Sequence, residues 1–285
     1  MVSHKKTLRK QNTLIREVSY SGVGIHTGVD VTMILCPAPV GTGIVFKRTD
    51  LPDAPIIPAT VENLHSTSRS TNIGDGDIVI NTVEHLLAAL KAYNIDNLTI
   101  KISGGEVPVS NGSSEVFVDL IEDAGVEEQD SDVAIVSIDT PLFFSDGDIH
   151  LVALPSDEYR VSYTLHHPET AAIGTQFLSV VVDADTFKNE IAPCRTFAKH
   201  EDIEFLMERG LIKGGSLDNA VVVKGDTVLN EEGLKFPDEM VRHKILDLIG
   251  DLSLVGVPFC AHIIAIKSGH TSNASFAKIL LKKLT

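Results

Sequence analysis

Twice along this 285-residue chain a group of strand-like segments runs ahead of helical ones, and that repeated order constrains the fold more than any other feature. Strands grouped before helices, rather than alternating with them singly, indicate α+β layers. In the first run the apolar periodicity predicts strands over 15–20, 29–35 and 44–46, a helix over 83–93, a strand over 97–103 and a helix over 114–124. The second run gives strands over 133–138, 150–153 and 159–165, then a helix over 201–209 and a Val-rich strand over 220–223. A helix over 238–254, a strand over 261–267 and a closing helix complete it. Between the runs lies EDAGVEEQDSD (122–132), with six acids, one Gly and no apolar run, which reads as a linker. The expectation is two domains, 1–125 and 131–285, each within the usual domain size, and a duplicated two-layer sandwich.

The charge balance, 24 basic against 39 acidic residues, gives a formal net charge of -15. A surface of that sign repels phosphate backbones, so no nucleic-acid partner is expected. A local basic segment stands against it: Lys5, Lys6, Arg9, Lys10 and Arg16, with no acid among the first sixteen residues, read as a flexible tail or as the start of a solvated strand. No stretch approaches the ~18 to 20 apolar residues that span a bilayer, and the basic start is not followed by the apolar region of a signal peptide. A cytoplasmic location is therefore expected. The cysteines, Cys36, Cys194 and Cys260, are few, odd in number and widely spaced, so a metal would have to be held by His and carboxylates.

The most informative segment is PDEMVRHKILDLIGDLSLVG. At about 100° per residue, Val241, Ile245, Leu248, Ile249 and Leu252 form one apolar stripe, and His243, Asp247 and Gly250 fall on the opposite side. His243 and Asp247 are at i and i+4, so an imidazole and a carboxylate are neighbours there and can point at one ion. Asp251 continues that ridge, and Leu246 and Leu254 flank it, so this side is expected to pack at an interface. Gly inside a helix costs about 1 kcal/mol relative to Ala; Gly250 is read as room for another element to approach. Taken alone, an HxxxD pair is more simply an ion pair on an exposed helix, and a catalytic zinc needs a third protein ligand.

A third candidate lies in NTVEHLLAALKAYN, where Leu86, Leu90 and Tyr93 form a core stripe, Glu84 points away from it and His85 sits at its edge. The Glu-His pair would put a carboxylate beside a metal-bound water, yet Asn81 followed by Glu84 also fits a capping box, the reading that spacing alone favours. In KSGHTSNASF, His270 follows Gly269 in a turn before the last helix, where loops present functional side chains and solvated ones alike. CRTF (194–197) and GGSLDN (214–219) flank a short helix, and the Gly-Gly could equally be a hairpin turn.

Taken together, SGVGIHTG at 21–28, TVEHLLAAL at 82–90, EVPVSNGS at 106–113, CRTF, the RGLIKGGSLDNAVV stretch from 209, the VRHKILDLIGDL helix and SGHTSN near the end cover nearly the whole chain. In these motifs and their order the chain resembles the zinc-dependent UDP-3-O-acyl-N-acetylglucosamine deacetylases of lipid A biosynthesis. The resemblance implies a fold of two similar α/β sandwich domains packed face to face with the active site between them, the second carrying an insert near 194–223 that forms an apolar passage for an acyl chain.

It also implies zinc ligands at His85, His243 and Asp247, with Glu84 as general base for the attacking water. His270, oriented by Asp251, would be the general acid or the electrostatic stabiliser, and Thr196 would hydrogen-bond the tetrahedral intermediate. Lys244 would meet substrate phosphate or sugar. Phe197, Ile203, Ile212, Gly214, Gly215 and Ser216 match the acyl passage, although apolar helix residues are more often ordinary core. The implied reaction is zinc-dependent hydrolysis of the N-acetyl group of UDP-3-O-(3-hydroxyacyl)-N-acetylglucosamine, releasing acetate and the free amine. The expected partners are this small molecule, no nucleic acid and at most peripheral membrane contact, with the enzyme a monomer.

One position departs from the family: its Pro-Ile-x-Asp-Gly-Ser loop reads Pro108-Val109-Ser110-Asn111-Gly112-Ser113, and Asn loses the charge of Asp while gaining donors. An active enzyme is still expected, because Glu84 and all three ligands are present. The alternative is a non-catalytic nucleotide-sugar or lipid-binding relative with a structural metal, and a third reading is a hydrolase of another amide or ester.

Overall fold

The computed structural model describes residues 6–285, so Lys5 of the basic segment lies outside the described residues. The first run holds strands β1 (Lys6–Leu14), β2 (Val18–Val23), β3 (Asp30–Pro37), β4 (Ile44–Arg48) and β5 (Ile56–Pro58). Three short strands follow, β6 (Leu64–Ser66), β7 (Asn72–Asp75) and β8 (Ile78–Ile80), then helix α1 (Glu84–Ala92), β9 (Leu98–Ile102) and α2 (Glu115–Ala124). The second run holds β10 (Val126–Ser137), β11 (Leu142–Asp146), β12 (Ile149–Leu154), β13 (Arg160–His167) and β14 (Gly174–Val181), then α3 (Ala184–Thr186). An insert follows, β15 (Phe197–Lys199), α4 (His200–Glu208), β16 (Val221–Lys224) and β17 (Thr227–Val228). The chain closes with α5 (Glu239–Ser253), β18 (Phe259–Cys260), β19 (His262–Ile266) and α6 (His270–Leu284).

Two five-stranded sheets have the same wiring, β2-β3-β9-β4-β5 and β11-β12-β19-β13-β14. In each, the central strand is the last to arrive, antiparallel to one neighbour and parallel to the other. In each, that strand is bracketed by two helices, α1 and α2 in one case, α5 and α6 in the other. The duplicated two-layer architecture expected from the order of elements is thus present. Strand alternation buries one face of each sheet: Val161, Tyr163 and Leu165 of β13 point inward. Helices α5 and α6 pack on the second sheet and α2 on the first, while α1 lies along α5, so the helical layers meet.

That meeting explains why α1 and α5 are buried almost all round, including ionisable residues: Glu84, His85, His243, Asp247 and Asp251. A helix buried on every side is ordinarily apolar throughout. Ionisable residues on two such helices, facing each other, locate the site.

The acidic segment over 122–132 is not a free linker. Its first residues end α2, and from Val126 onward it is β10, paired antiparallel with β1 and, further along, parallel with β18. The physical reason lies in the basic segment: Lys10 reaches Asp130 and Asp132 at 3.5 and 3.2 Å, so opposite charges face each other across the pair. Arg9 instead clamps Asp96 with two hydrogen bonds, at 2.6 and 2.8 Å, and Arg16 pairs with Asp123. From Lys6 to Leu14 the basic segment is strand β1, and the first strand of the main sheet begins at Val18 rather than Ile15.

Candidate metal centre

Helix α1 begins at Glu84 with no side-chain cap, after Thr82 in the left-handed region at φ 58°. The capping-box reading therefore does not hold. Asn81 turns its amide to the Gly105 carbonyl, and the Glu84 carboxylate accepts the backbone N–H of Thr71 at 3.0 Å. Thr71 directly precedes β7, the middle strand of the small β6-β7-β8 sheet, so that sheet fixes the direction of Glu84.

One residue on, His85 faces α5. His85, His243 and Asp247 are all buried and present one ligand atom each, with these atoms within 4.8 Å of one another. The Asp247 Oδ1 atom is 3.7 Å from His85 Nε2 and 3.3 Å from His243 Nε2. It is buried with no hydrogen-bond partner. His243 Nδ1 lies 3.0 Å from the Cys194 carbonyl oxygen, which can only accept, so Nδ1 donates there and Nε2 is the ring nitrogen turned toward Asp247. Burial pushes the His85 imidazole down, toward its neutral form. The Asp247 carboxyl is opposed by burial, but Lys244 and the two imidazoles outweigh it and hold it well below the usual carboxylate range. Two imidazoles, an ionised carboxylate and an orphaned buried oxygen fit a divalent metal ion, which would satisfy that oxygen and offset the burial of the charge.

Next to this triad is an acid-base pair. His270 is the first residue of α6, not a turn residue, and Gly269 precedes it at the cap position. Its Nδ1 meets Asp251 Oδ2 at 3.0 Å, and its Nε2 is 3.9 Å from Glu84 Oε1. Burial opposes the His270 cation, yet Asp251 in contact, with Glu84 and Asp247 beyond, outweighs burial and pushes it up to about 9. Burial pushes the Glu84 carboxyl up to about 8, against the lowering effect of His270. Asp251 is itself held by the Thr71 hydroxyl at 2.5 Å and by Asn273 at 2.8 Å. Neither Thr71 nor Asn273 was singled out in the sequence, since a lone Thr and Asn carry no spacing signal.

The remaining candidates are placed less uniformly. The Lys244 ammonium lies on Asp247 Oδ2 at 2.5 Å, so it makes an ion pair inside the site rather than standing free for a phosphate. Thr196 is half-buried, its backbone bonded to Gly112 and Val221. Phe197, Ile203 and Ile212 are half-buried around the insert, and Gly215 and Ser216 are exposed. The Gly-Gly is no hairpin turn: Gly214 donates to the Ile25 carbonyl, and a Cβ on it would lie 2.4 Å from the Gly24 carbonyl oxygen. Only glycine lets this loop seat on the GIHTG loop.

The GIHTG loop is the part whose role the sequence left open. Wholly buried Glu106 accepts the backbone N–H groups of His26 and Thr27 and the hydroxyls of Thr27 and Thr82, at 2.6 to 3.1 Å. Burial pushes His26 down, against the attraction of Glu106, and its Nδ1 is buried without a partner. Asn111 accepts from the N–H and hydroxyl of Ser113, and its amide donates to Glu115 Oε2 at 3.0 Å.

Comparison with known proteins gives a consistent match. The family model described as UDP-3-O-acyl N-acetylglycosamine deacetylase matches residues 11–282. The chain is 53% identical to UDP-3-O-acyl-N-acetylglucosamine deacetylase of Chlamydia pneumoniae over 277 residues, covering 97% of this chain and 98% of that protein. It is 52% identical to the protein of the same name from Chlamydia caviae over 276 residues, covering 97% and 98%. The corresponding protein of Chlamydia trachomatis serovar L2 is 49% identical over 276 residues, covering 97% and 96%. Among the described residues no helix is long and apolar enough to cross a membrane.

Proposed function

Since this chain belongs to the UDP-3-O-acyl N-acetylglycosamine deacetylase family, we propose that it removes the N-acetyl group of UDP-3-O-acyl-N-acetylglucosamine, the lipid A precursor, with zinc held by His85, His243 and Asp247. When bound, zinc supplies a nucleophilic water near neutral pH and polarises the acetamide carbonyl.

The protein's own groups do the rest. Glu84, next to a ligand and turned by Thr71, takes the proton of the attacking water; burial gives its carboxyl the proton affinity that a general base near neutral pH needs. His270, kept cationic by Asp251, stabilises the negative charge developing on the carbonyl oxygen and gives a proton to the departing glucosamine amine. Thr196 offers its hydroxyl to the same oxygen. Lys244, paired with Asp247, places a positive charge beside the site that an anionic substrate enters. Phe197, Ile203, Ile212 and the 214–216 loop border the acyl chain. The acetyl C–N bond breaks, and acetate and the free amine leave.

The observation that carries this reading is the convergence of one metal-competent triad with Glu84 and His270, neither of which is needed merely to hold an ion. The test follows acetate release from UDP-3-O-acyl-N-acetylglucosamine, with and without a zinc chelator. Undiminished release after the metal is stripped would overturn the mechanism. We further propose that the protein works in the cytoplasm as a monomer.

A further inference from the structure

The reading above uses His243 but leaves unexplained why a wholly buried ion pair lies one helical turn before it. Glu239, 0% exposed, opens α5, and His243 is its i+4 neighbour on the same face. These two side chains grip two consecutive residues of another segment: Glu239 holds Arg195, and His243 holds the carbonyl of Cys194.

The grip is saturated. Glu239 Oε1 accepts the Arg195 backbone N–H at 3.0 Å and its Nε–H at 2.9 Å. Oε2 accepts Arg195 Nη2 at 3.2 Å and the Lys235 N–H at 2.7 Å. The other arms of the guanidinium go to Glu232 and to the Gly233 carbonyl. Such a planar fork can be satisfied in only one orientation. The Cys194 thiol contributes nothing toward His243, since it points to the Glu190 carbonyl at 3.5 Å. Beyond Arg195, Thr196 is fixed by the Gly112 carbonyl and leads into β15.

We propose that Arg195 and Glu239 are positioning residues of the metal centre: their ion pair locks the Cys194 carbonyl in place against His243 Nδ1, which fixes the ring's tautomer and aims Nε2 at the ion, and it sets Thr196 at the same time. This inference rests on reading His85, His243 and Asp247 as the metal ligands. A group that hydrogen-bonds a ligating imidazole orients it and raises its basicity, and losing such a partner typically weakens metal binding by about 10- to 100-fold.

The experiment uses the full chain loaded with zinc, and separately with Co(II) as a spectroscopic probe. Zinc dissociation constants come from chelator competition, and circular dichroism and melting report the fold. Arg195→Lys keeps the charge but loses the fork, and Glu239→Gln keeps the shape but loses two anionic acceptors. Each is expected to raise the zinc Kd by about 10-fold or more and to shift the visible bands of bound Co(II). Cys194→Ala keeps the backbone carbonyl and is expected to leave both unchanged. A folded Arg195→Lys protein with wild-type zinc Kd and Co(II) bands overturns the proposal. Should that variant not fold, the same result in Glu239→Gln overturns it. His243→Ala separates the two levels: if it keeps wild-type zinc affinity, the metal-centre reading fails, whereas if it loses zinc while Arg195→Lys and Glu239→Gln do not, only the positioning role fails.

Discussion

Gly250 of α5 lies so close to Glu84 of α1 that a Cβ on the glycine would sit 2.1 Å from the Glu84 carbonyl oxygen. The two helices pack in contact here, and their separation bears on the distance from His85 to His243 and Asp247. Gly250→Ala should gain up to about 1 kcal/mol of helix propensity and lose more, on the order of 1–3 kcal/mol, to overpacking against a backbone that cannot rotate away. The expected result is a lower melting temperature together with weaker metal binding. An unchanged melt and unchanged metal affinity would refute the close-approach argument.

Glu84 and His85 are adjacent but have separable tasks. Glu84→Gln keeps the acceptor for the Thr71 N–H and removes the base, so activity should fall about 10²- to 10⁴-fold with the metal retained. His85→Ala should lose the metal. Metal analysis beside acetate release distinguishes the two, and equal metal loss in both variants would contradict the division.

His270 gives the pH dependence a definite sign. Burial works against its cation, and Asp251 with its neighbouring carboxylates prevails, so the proton is held up to about pH 9. The rate should therefore fall as pH rises through that value. Asp251→Asn removes the main stabilising charge; His270 then deprotonates at lower pH and the alkaline limb of the kcat/KM profile moves toward acid, with the metal still bound. A limb that does not move would show that His270 is not the group it reports.

The Asn111 amide donates to Glu115, which also pairs with Lys235. In Asn111→Asp two carboxylates would meet at that 3.0 Å contact. Because Glu115 is partly exposed, the penalty should be modest, about 0.5–1 kcal/mol at neutral pH. The sign follows from like charges: they raise the folded-state carboxyl affinity for protons, so the penalty is present at neutral pH and disappears as pH falls below about 4. Melting curves of both proteins across pH test this.

How much of this was legible in the sequence depended on whether a signal was local. The i,i+4 placement of His243 and Asp247, the continuation to Asp251 and the reading of Gly250 follow from helical geometry alone, and the helix forms where the periodicity put it. Where two local readings competed, the wrong one could win. Asn81 and Glu84 have capping-box spacing, yet the left-handed Thr82 turns the chain so that Glu84 serves Thr71 instead. The ion pair that Lys244 makes with Asp247, three residues on, depends on side-chain reach within the folded site, which helix spacing alone leaves open. The acidic 122–132 segment looked like a linker because its partner, the basic start of the chain, is more than a hundred residues away.

The sequence by itself determined the elements and the chemistry: strands grouped before helices twice over, a His and an Asp on one face of α5, a Glu-His pair beginning α1, and a Gly-His step at the start of α6. Period and composition are carried by neighbouring residues, so a linear reading retrieves them. Only the tertiary structure decided what these residues are for one another. Packing two helical layers together buried Glu84, His85, His243, Asp247 and Asp251 in one place, and burial is what raises the Glu84 proton affinity and leaves Asp247 Oδ1 without a partner. The partners that orient them, Thr71, Asn273, Cys194 and Arg195, come from other elements of the chain. Their roles depend on distances and exclusion of water, which no local pattern encodes.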